Sequence, residues 1–332
     1  MENKDIIKKH AKEFIKNFIV FCIAMLVVFI SFKSLIDKDK SNGNKNDSTN
    51  ETEISIAEQI EDKVKSIEGR YGCINIIYSE SLDIELSKKD YGFTHKISND
   101  ESKKLSALED IDIVLERLPQ NILYEGLDIY GGKFNEEYGF DSTPYIRINI
   151  VLCSEIMEEK DRLVSATATG MSRLDFNDKV YNIFINVDYS GDVAKTFAHE
   201  LYHFFSERID IQAIVLGVYI GTEWNTELPD GYEYYGNKAN LSSMPYTDKT
   251  EEDINNVYFV TEYSQTNIEE DRAEIFSYLL STDEDEELPK AYESPHVRNR
   301  ALMIIREFDE CYDTVDENAY WNRIFEEKTS GQ

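Results

Sequence analysis

The sequence predicts an α+β fold in which a mixed sheet carries helices, and three observations lead there. Residues 145–153 and 180–187 are short runs rich in β-branched and aromatic side chains, with Tyr181, Ile183, Ile185 and Val187 alternating onto one face. Helical periodicity appears between strand-like runs rather than in one block, at Ile54 to Ile67 and Ser102 to Leu118. Beyond residue 190 the apolar pattern turns helical, with a capping residue at each start. Strand-like segments followed by helices read as α+β.

In chain order, the 54–67 helix is followed by CINIIYSE after Gly72, a short buried strand closed by a polar stretch in which His95 occupies a turn. The 102–118 helix ends at Pro119, and Asn121 to Tyr130 reads as another strand before the one at 145–153. After the 180–187 strand the chain turns at Tyr189, Ser190 and Gly191. Asp192 then caps a helix running to about Arg208, with Val193, Phe197, Leu201, Phe204 and Phe205 as its apolar stripe. An irregular, tyrosine-rich segment follows, including GYEYYGN from Gly231. Asn267 opens a helix to about Ser281, and Ser294 with Pro295 starts the last helix, which carries Val297, Leu302, Ile305 and Phe308. The expectation is a sheet lobe over 54–190 and a helical lobe over 191–332, with a cleft between them.

Composition excludes several function classes. With 41% hydrophobic and 12% aromatic residues in 332, the chain can bury a proper core. A net charge of −30, from 35 Lys plus Arg against 65 Asp plus Glu, repels phosphates, so nucleic acid is not an expected partner. Residues 17–32 are apolar apart from their end residues and Ser31, bracketed by Lys16 and Lys33 and preceded by Lys4, Lys8, Lys9 and Lys12, and Leu35 and Ile36 extend the run to residue 36. They read as a transmembrane signal anchor, with residues 1–16 cytoplasmic and the remainder outside the cell. A cleaved signal peptide is the competing reading and would make the domain secreted, but no small-x-small cleavage site follows Phe32. Residues 37–53 are polar and low in complexity, and read as a disordered linker. Cys22 lies in the anchor, leaving Cys73, Cys153 and Cys311, an odd and scattered set that makes no disulfide framework. Cys73 and Cys153 fall in strand-like runs as small hydrophobes.

The chemistry is carried by His199, Glu200, Leu201, Tyr202 and His203, an H-E-x-x-H string inside a helix with its own cap and apolar stripe. Residues four apart share a helical face, so both imidazoles reach one cation, while Glu200 projects to the side towards a water on that cation. Zinc takes neutral imidazole nitrogens and lowers the pKa of a water it holds to about 7. A catalytic zinc needs a third protein ligand, and the next histidine, His296, is distant and sits at a helix start. A carboxylate on another helix is therefore expected, and YSQTNIEEDRAEIF offers Glu270 and Glu274, again four apart. Two acids at that spacing repel unless a cation sits over them. The competing reading is that Glu269, Glu270 and Asp271 only complement the helix dipole.

The combination of His199, Glu200 and His203 with Tyr263, Thr266, Asn267, Glu270, Glu274, Ser281, Thr282 and Asp283 resembles the gluzincin metallopeptidases, in particular the catalytic domain of anthrax lethal factor and the Pro-Pro endopeptidases. The likeness runs from about Val180 to the C-terminus and departs in a longer segment between His203 and Tyr263. It implies a zincin-like two-lobe domain with one Zn2+ held by His199, His203 and Glu270. Glu200 is then the general base, Tyr263 the stabiliser of the oxyanion, and Glu274 the acid behind the metal that orients a ligand histidine. It also implies a peptide substrate added as a strand to a sheet edge, for which Ser165 to Gly170 (SATATG) is the candidate, with an ordinary loop as the competing reading. Tyr232, Tyr234 and Tyr235 are candidates to line or cover the cleft, against plain tyrosines of a surface loop. The function expected is a zinc metalloendopeptidase acting on exported or surface proteins or peptides. The alternatives are a non-catalytic surface binding or sensing module and a zinc amidase of cell-wall peptide.

Overall fold

The computed structural model describes residues 54–89, 91–129, 145–158, 162–169, 180–216, 220–236 and 244–329. The expected anchor at 17–36, with residues 1–16 and the linker at 37–53, lies outside the described residues. Among those described, no helix is long and apolar enough to cross a membrane. Residues Ile54–Gln332 form one compact unit with an α+β architecture.

The sheet is built around β3 (Arg147–Glu158), whose INIVLC core is apolar on both faces, as a strand covered on both sides must be. β1 (Ile74–Ile77) and β6 (Val180–Asn186) flank it in parallel, and β5 (Ala166–Thr169) pairs antiparallel to β6 at the end of the order β1-β3-β6-β5. β2 (Phe93–Ile97) and β4 (Arg162–Leu163) pair antiparallel with the far half of β3, so the sheet is mixed. Register is pinned by a row of amides at aligned positions of β1, β3 and β6. Asn75 Nδ2 donates to Asn149 Oδ1 at 2.9 Å, and Asn149 Nδ2 donates to Asn182 Oδ1 at 2.8 Å. A one-residue slip would break this row and carry every apolar side chain to the wrong face.

One face, through Ile150, Leu152, Ile183 and Ile185, packs on the helices and forms the main core. The other, through Val151, Cys153 and Phe184, forms a smaller core with Tyr91 and Phe93. The helices are α1 (Ile56–Arg70), α2 (Glu101–Glu116), α3 (Ile122–Leu127), α4 (Val193–Leu216), α5 (Ile220–Asn225), α6 (Ile268–Ser281), α7 (Pro295–Cys311) and α8 (Tyr320–Thr329). α1 begins with a reciprocal capping box between Ser55 and Glu58. Arg117, just past α2, donates to the carbonyls of Leu280 and Ser281 at 2.9 and 2.7 Å, satisfying free acceptors at the end of α6.

Four expectations need correction. Residues 122–127 are helical, not a strand. Asn121 turns the chain at φ 72°, and the short apolar run that suggested a strand packs Ile122, Leu123 and Leu127 inward from a single helical turn. α4 continues past Arg208 to Leu216. α7 is followed by α8, in which Trp321, Ile324 and Phe325 bury at helical spacing. His95 sits in strand β2, not in a polar turn, with Nε2 2.9 Å from Asp83 Oδ1 and its ring against Phe184. Cys73 and Cys153 are buried free thiols, as expected.

α3 meets α4 at Gly126, where a Cβ would lie 2.5 Å from Phe204 Cε1. The Phe204 ring is fully buried and wedged between Tyr181 and Phe205, with centroids 5.0 and 5.3 Å away, so it has no room to yield. Gly126→Ala is expected to lower the unfolding free energy by about 1–3 kcal/mol in a urea titration, as overpacked cores do. An unchanged midpoint and slope would mean that the two helices are not held in this contact.

Candidate metal centre

Helix α4 follows β6 directly, and its start is fixed by Asp192, whose Oδ1 accepts from Lys195 N at 2.9 Å. Phe197, Ala198, Leu201, Tyr202, Phe204 and Phe205 bury against the sheet and neighbouring helices, which fixes the helix rotation. His199 and His203 emerge one turn apart on a shared face, their ring centroids 5.0 Å apart. Helix α6 is fixed in the same manner. Asn267 accepts from Glu270 N at 2.8 Å, and Phe276 packs on Tyr202 of α4 with centroids 5.4 Å apart. That packing turns Glu270 and Glu274 towards the histidines.

The four side chains converge. His199 Nε2 lies 2.9 Å from Glu270 Oε2 and 3.3 Å from His203 Nε2, and His203 Nε2 lies 3.5 Å from Glu270 Oε2. These three groups are the ones that bring donor atoms within 4.8 Å of one another among the described residues. A tetrahedral ion with bonds of about 2.0–2.1 Å spaces its ligands by about 3.3–3.4 Å, so the observed separations suit a single such cation. His199 Nδ1 lies 2.9 Å from Glu274 Oε1. A carboxylate there accepts the Nδ1 proton and leaves the Nε2 lone pair facing the cluster. The expected ligands His199, His203 and Glu270 thus meet, and Glu274 lies behind His199 as the resemblance implied.

The electrostatics favour a cation at this point. Burial alone would lower the His199 pKa, but hydrogen bonds to Glu270 and Glu274 and their charges outweigh it and push the imidazole up to about 10. Burial works equally against ionised Glu270, yet the hydrogen bonds from His199 and His203 hold its carboxyl below the usual range. Glu274 is pulled down to about 2, against its burial, by His199, Lys195 and Thr261. Carboxylates that hold a proton on a buried imidazole would hold a divalent cation against it as well.

Glu200 is buried on α4, and Tyr263 stands in a short 3-10 turn (Tyr263–Gln265) just before α6. The Tyr263 ring lies 5.9 Å from His199 and is 39% exposed. Burial of its hydroxyl end, with the charges of Glu270, Glu200 and Glu274, raises the phenol above its ordinary range and keeps it protonated, a donor. Glu200, Tyr263 and Glu270 therefore share one site. The turn is held from behind, because Tyr235 N donates to Gln265 O at 3.0 Å and Gly236 N to Thr266 O at 2.8 Å. Tyr232 and Tyr234 brace this turn. Tyr232 packs on Phe259 with centroids 5.0 Å apart, and the Tyr234 hydroxyl donates to Asp271 at 2.9 Å. Tyr235 is exposed.

Among the described residues β5 stands at the end of the strand order, and Ala166, Thr167 and Ala168 of SATATG lie along it. His296 is no ligand of this cluster. It opens α7, stacks on Tyr258 at 4.2 Å and meets Glu227 at 3.1 Å. Sequence reasoning missed the groups behind the cluster, which are Lys195, Thr261 and the fully buried ion pair of Asp271 with Arg300. Lys195 alone left a trace, lying one helical turn before His199. The chain matches no protein-family model, no curated protein and no solved structure.

Glu270 faces the histidines, whereas Glu269 on the same turn faces solvent. Glu270→Ala is expected to weaken divalent-metal binding at least tenfold in a competition titration, with Glu269→Ala within a factor of two of the parent. Equal effects would remove Glu270 from the ligand set.

Proposed function

We propose that this chain is a zinc-dependent metalloendopeptidase of gluzincin type. The observation that supports it most is the convergence of His199 Nε2, His203 Nε2 and a Glu270 carboxylate oxygen from two separate helices within bonding range of one ion. The two nitrogens and one oxygen form a donor set that suits zinc and leaves a fourth tetrahedral position for chemistry. Zn2+ held there would polarise a peptide carbonyl and make water nucleophilic at neutral pH.

The chain's own residues supply the rest. Glu200 accepts the proton of the attacking water and delivers it to the leaving amine, so that one water is added across the peptide bond. Tyr263 donates its protonated hydroxyl to the oxyanion that develops on the substrate carbonyl. Glu274 keeps His199 in the tautomer that points Nε2 inward. A peptide would add as an antiparallel strand beside β5, where Ala166 and Ala168 leave room for its backbone. With residues 17–36 as a signal anchor, the domain would stand outside the cell, acting on exported or surface proteins.

Glu200→Gln separates binding from turnover. The variant is expected to keep about one equivalent of zinc per chain and to lose at least about a hundredfold in peptide cleavage, since it retains the shape but not the base. Cleavage measured on protein, peptide and wall-fragment substrates, with and without chelator, checks both halves. Retained cleavage in this variant, or cleavage of wall fragments alone, contradicts the endopeptidase assignment.

A further inference from the structure

Behind the histidines lies a second layer of polar contacts that the H-E-x-x-H string does not describe. Glu274 is buried and uses its two oxygens differently. Oε1 accepts from His199 Nδ1 at 2.9 Å, while Oε2 accepts from the Lys195 ammonium at 3.0 Å and from the Thr261 hydroxyl at 2.8 Å. Lys195 is itself mostly buried, its side chain 20% exposed, and its ammonium sits 4.2 Å from the centroid of the Tyr278 ring. A lysine side chain held at both Tyr278 and Glu274 gives up rotamer freedom that a surface lysine keeps. A buried carboxylate with one oxygen committed to a cation and a hydroxyl has only the other free to orient a neighbour.

We propose that Lys195, with Thr261, is a positioning residue of the metal centre, holding Glu274 so that Oε1 fixes the His199 ring with Nε2 towards the metal. Lys195 and His199 lie one turn apart on α4, and Thr261 comes from the chain before the Tyr263 turn. Glu274 therefore ties the metal-bearing face of α4 to α6 and to the strand of chain that carries Tyr263. The inference rests on the metal-site reading above and deepens it.

The direction of the effect distinguishes positioning from simple charge. An ammonium acting only through space repels a divalent cation, so its removal would tighten metal binding. An ammonium acting through Glu274 keeps a ligand in place, so its removal weakens binding, by about tenfold or more for partners of this kind. The test is a Co2+ titration of the intact protein followed by visible absorption, with parallel thermal unfolding to show that each variant is folded. The parent binds one Co2+ with a tetrahedral spectrum; a parent that binds none ends the metal-site reading itself, whatever the variants do.

Given binding by the parent, Lys195→Met is expected to raise the Co2+ dissociation constant at least tenfold, and Lys195→Arg to restore it to within about threefold. In a Glu274→Gln background the Lys195→Met change is expected to have little further effect, because the group it acts through is gone. Thr261→Val, which alters no charge, is expected to weaken binding severalfold and covers the case in which Lys195→Met does not fold. Unchanged or tighter binding in Lys195→Met or Thr261→Val, or an equal loss with and without Glu274, would overturn the proposal while leaving the metal site intact.

Discussion

The contact between α4 and α6 is the constraint on which the site depends. Each helix brings an apolar face, joined where Tyr202 meets Phe276, which also stacks on Phe308 of α7 at 4.8 Å. Beside that apolar seam run the polar, ionisable side chains. Lys195, His199 and His203 come from one helix, and Glu270 and Glu274 from the other. Charges buried between helices cost several kcal/mol each unless paired, so the two helices cannot slide or rotate without exposing one partner of each pair. The packing sets the position of the donors, and the donors in turn favour that packing.

A second buried pair braces α6 from its other side. Asp271, next to Glu270, meets Arg300 of α7 with both side chains fully out of water, and Trp224 and Tyr234 donate to the same carboxylate oxygen at 3.2 and 2.9 Å. Burial raises Asp271 to about 6 even with Arg300 beside it. Removing either member would leave a lone buried charge, a loss of about 3–5 kcal/mol in comparable cases. Glu270 is thus set on a helix held from both sides, the rigidity a metal ligand needs.

The sequence showed much of the site but less of what supports it. His199 and His203 were legible because helical spacing alone puts them on one face with Glu200 projecting to the side, and Asn267 marked the start of the helix that carries Glu270 and Glu274. The strands at 145–153 and 180–187 were legible from apolar, β-branched composition. The short helix at 122–127 was not, because six residues hold too few turns for a period to show, and its position is set by Gly126 meeting Phe204 from a distant part of the chain. His95 was missed because β2 lies among polar residues and takes its partners Asp83 and Phe184 from elsewhere. Lys195 and Arg300 find their partners Glu274 and Asp271 only in the fold, far away in the sequence. Tertiary pairing of this sort leaves no local pattern.

A zinc centre here requires three donor atoms to meet at one ion. Anomalous diffraction at the zinc absorption edge from crystals grown with Zn2+ tests it most directly. The expected result is one strong peak within about 2.0–2.2 Å of His199 Nε2, His203 Nε2 and a Glu270 carboxylate oxygen. A peak elsewhere on the chain, or one at the two histidines with Glu270 turned away, would contradict it.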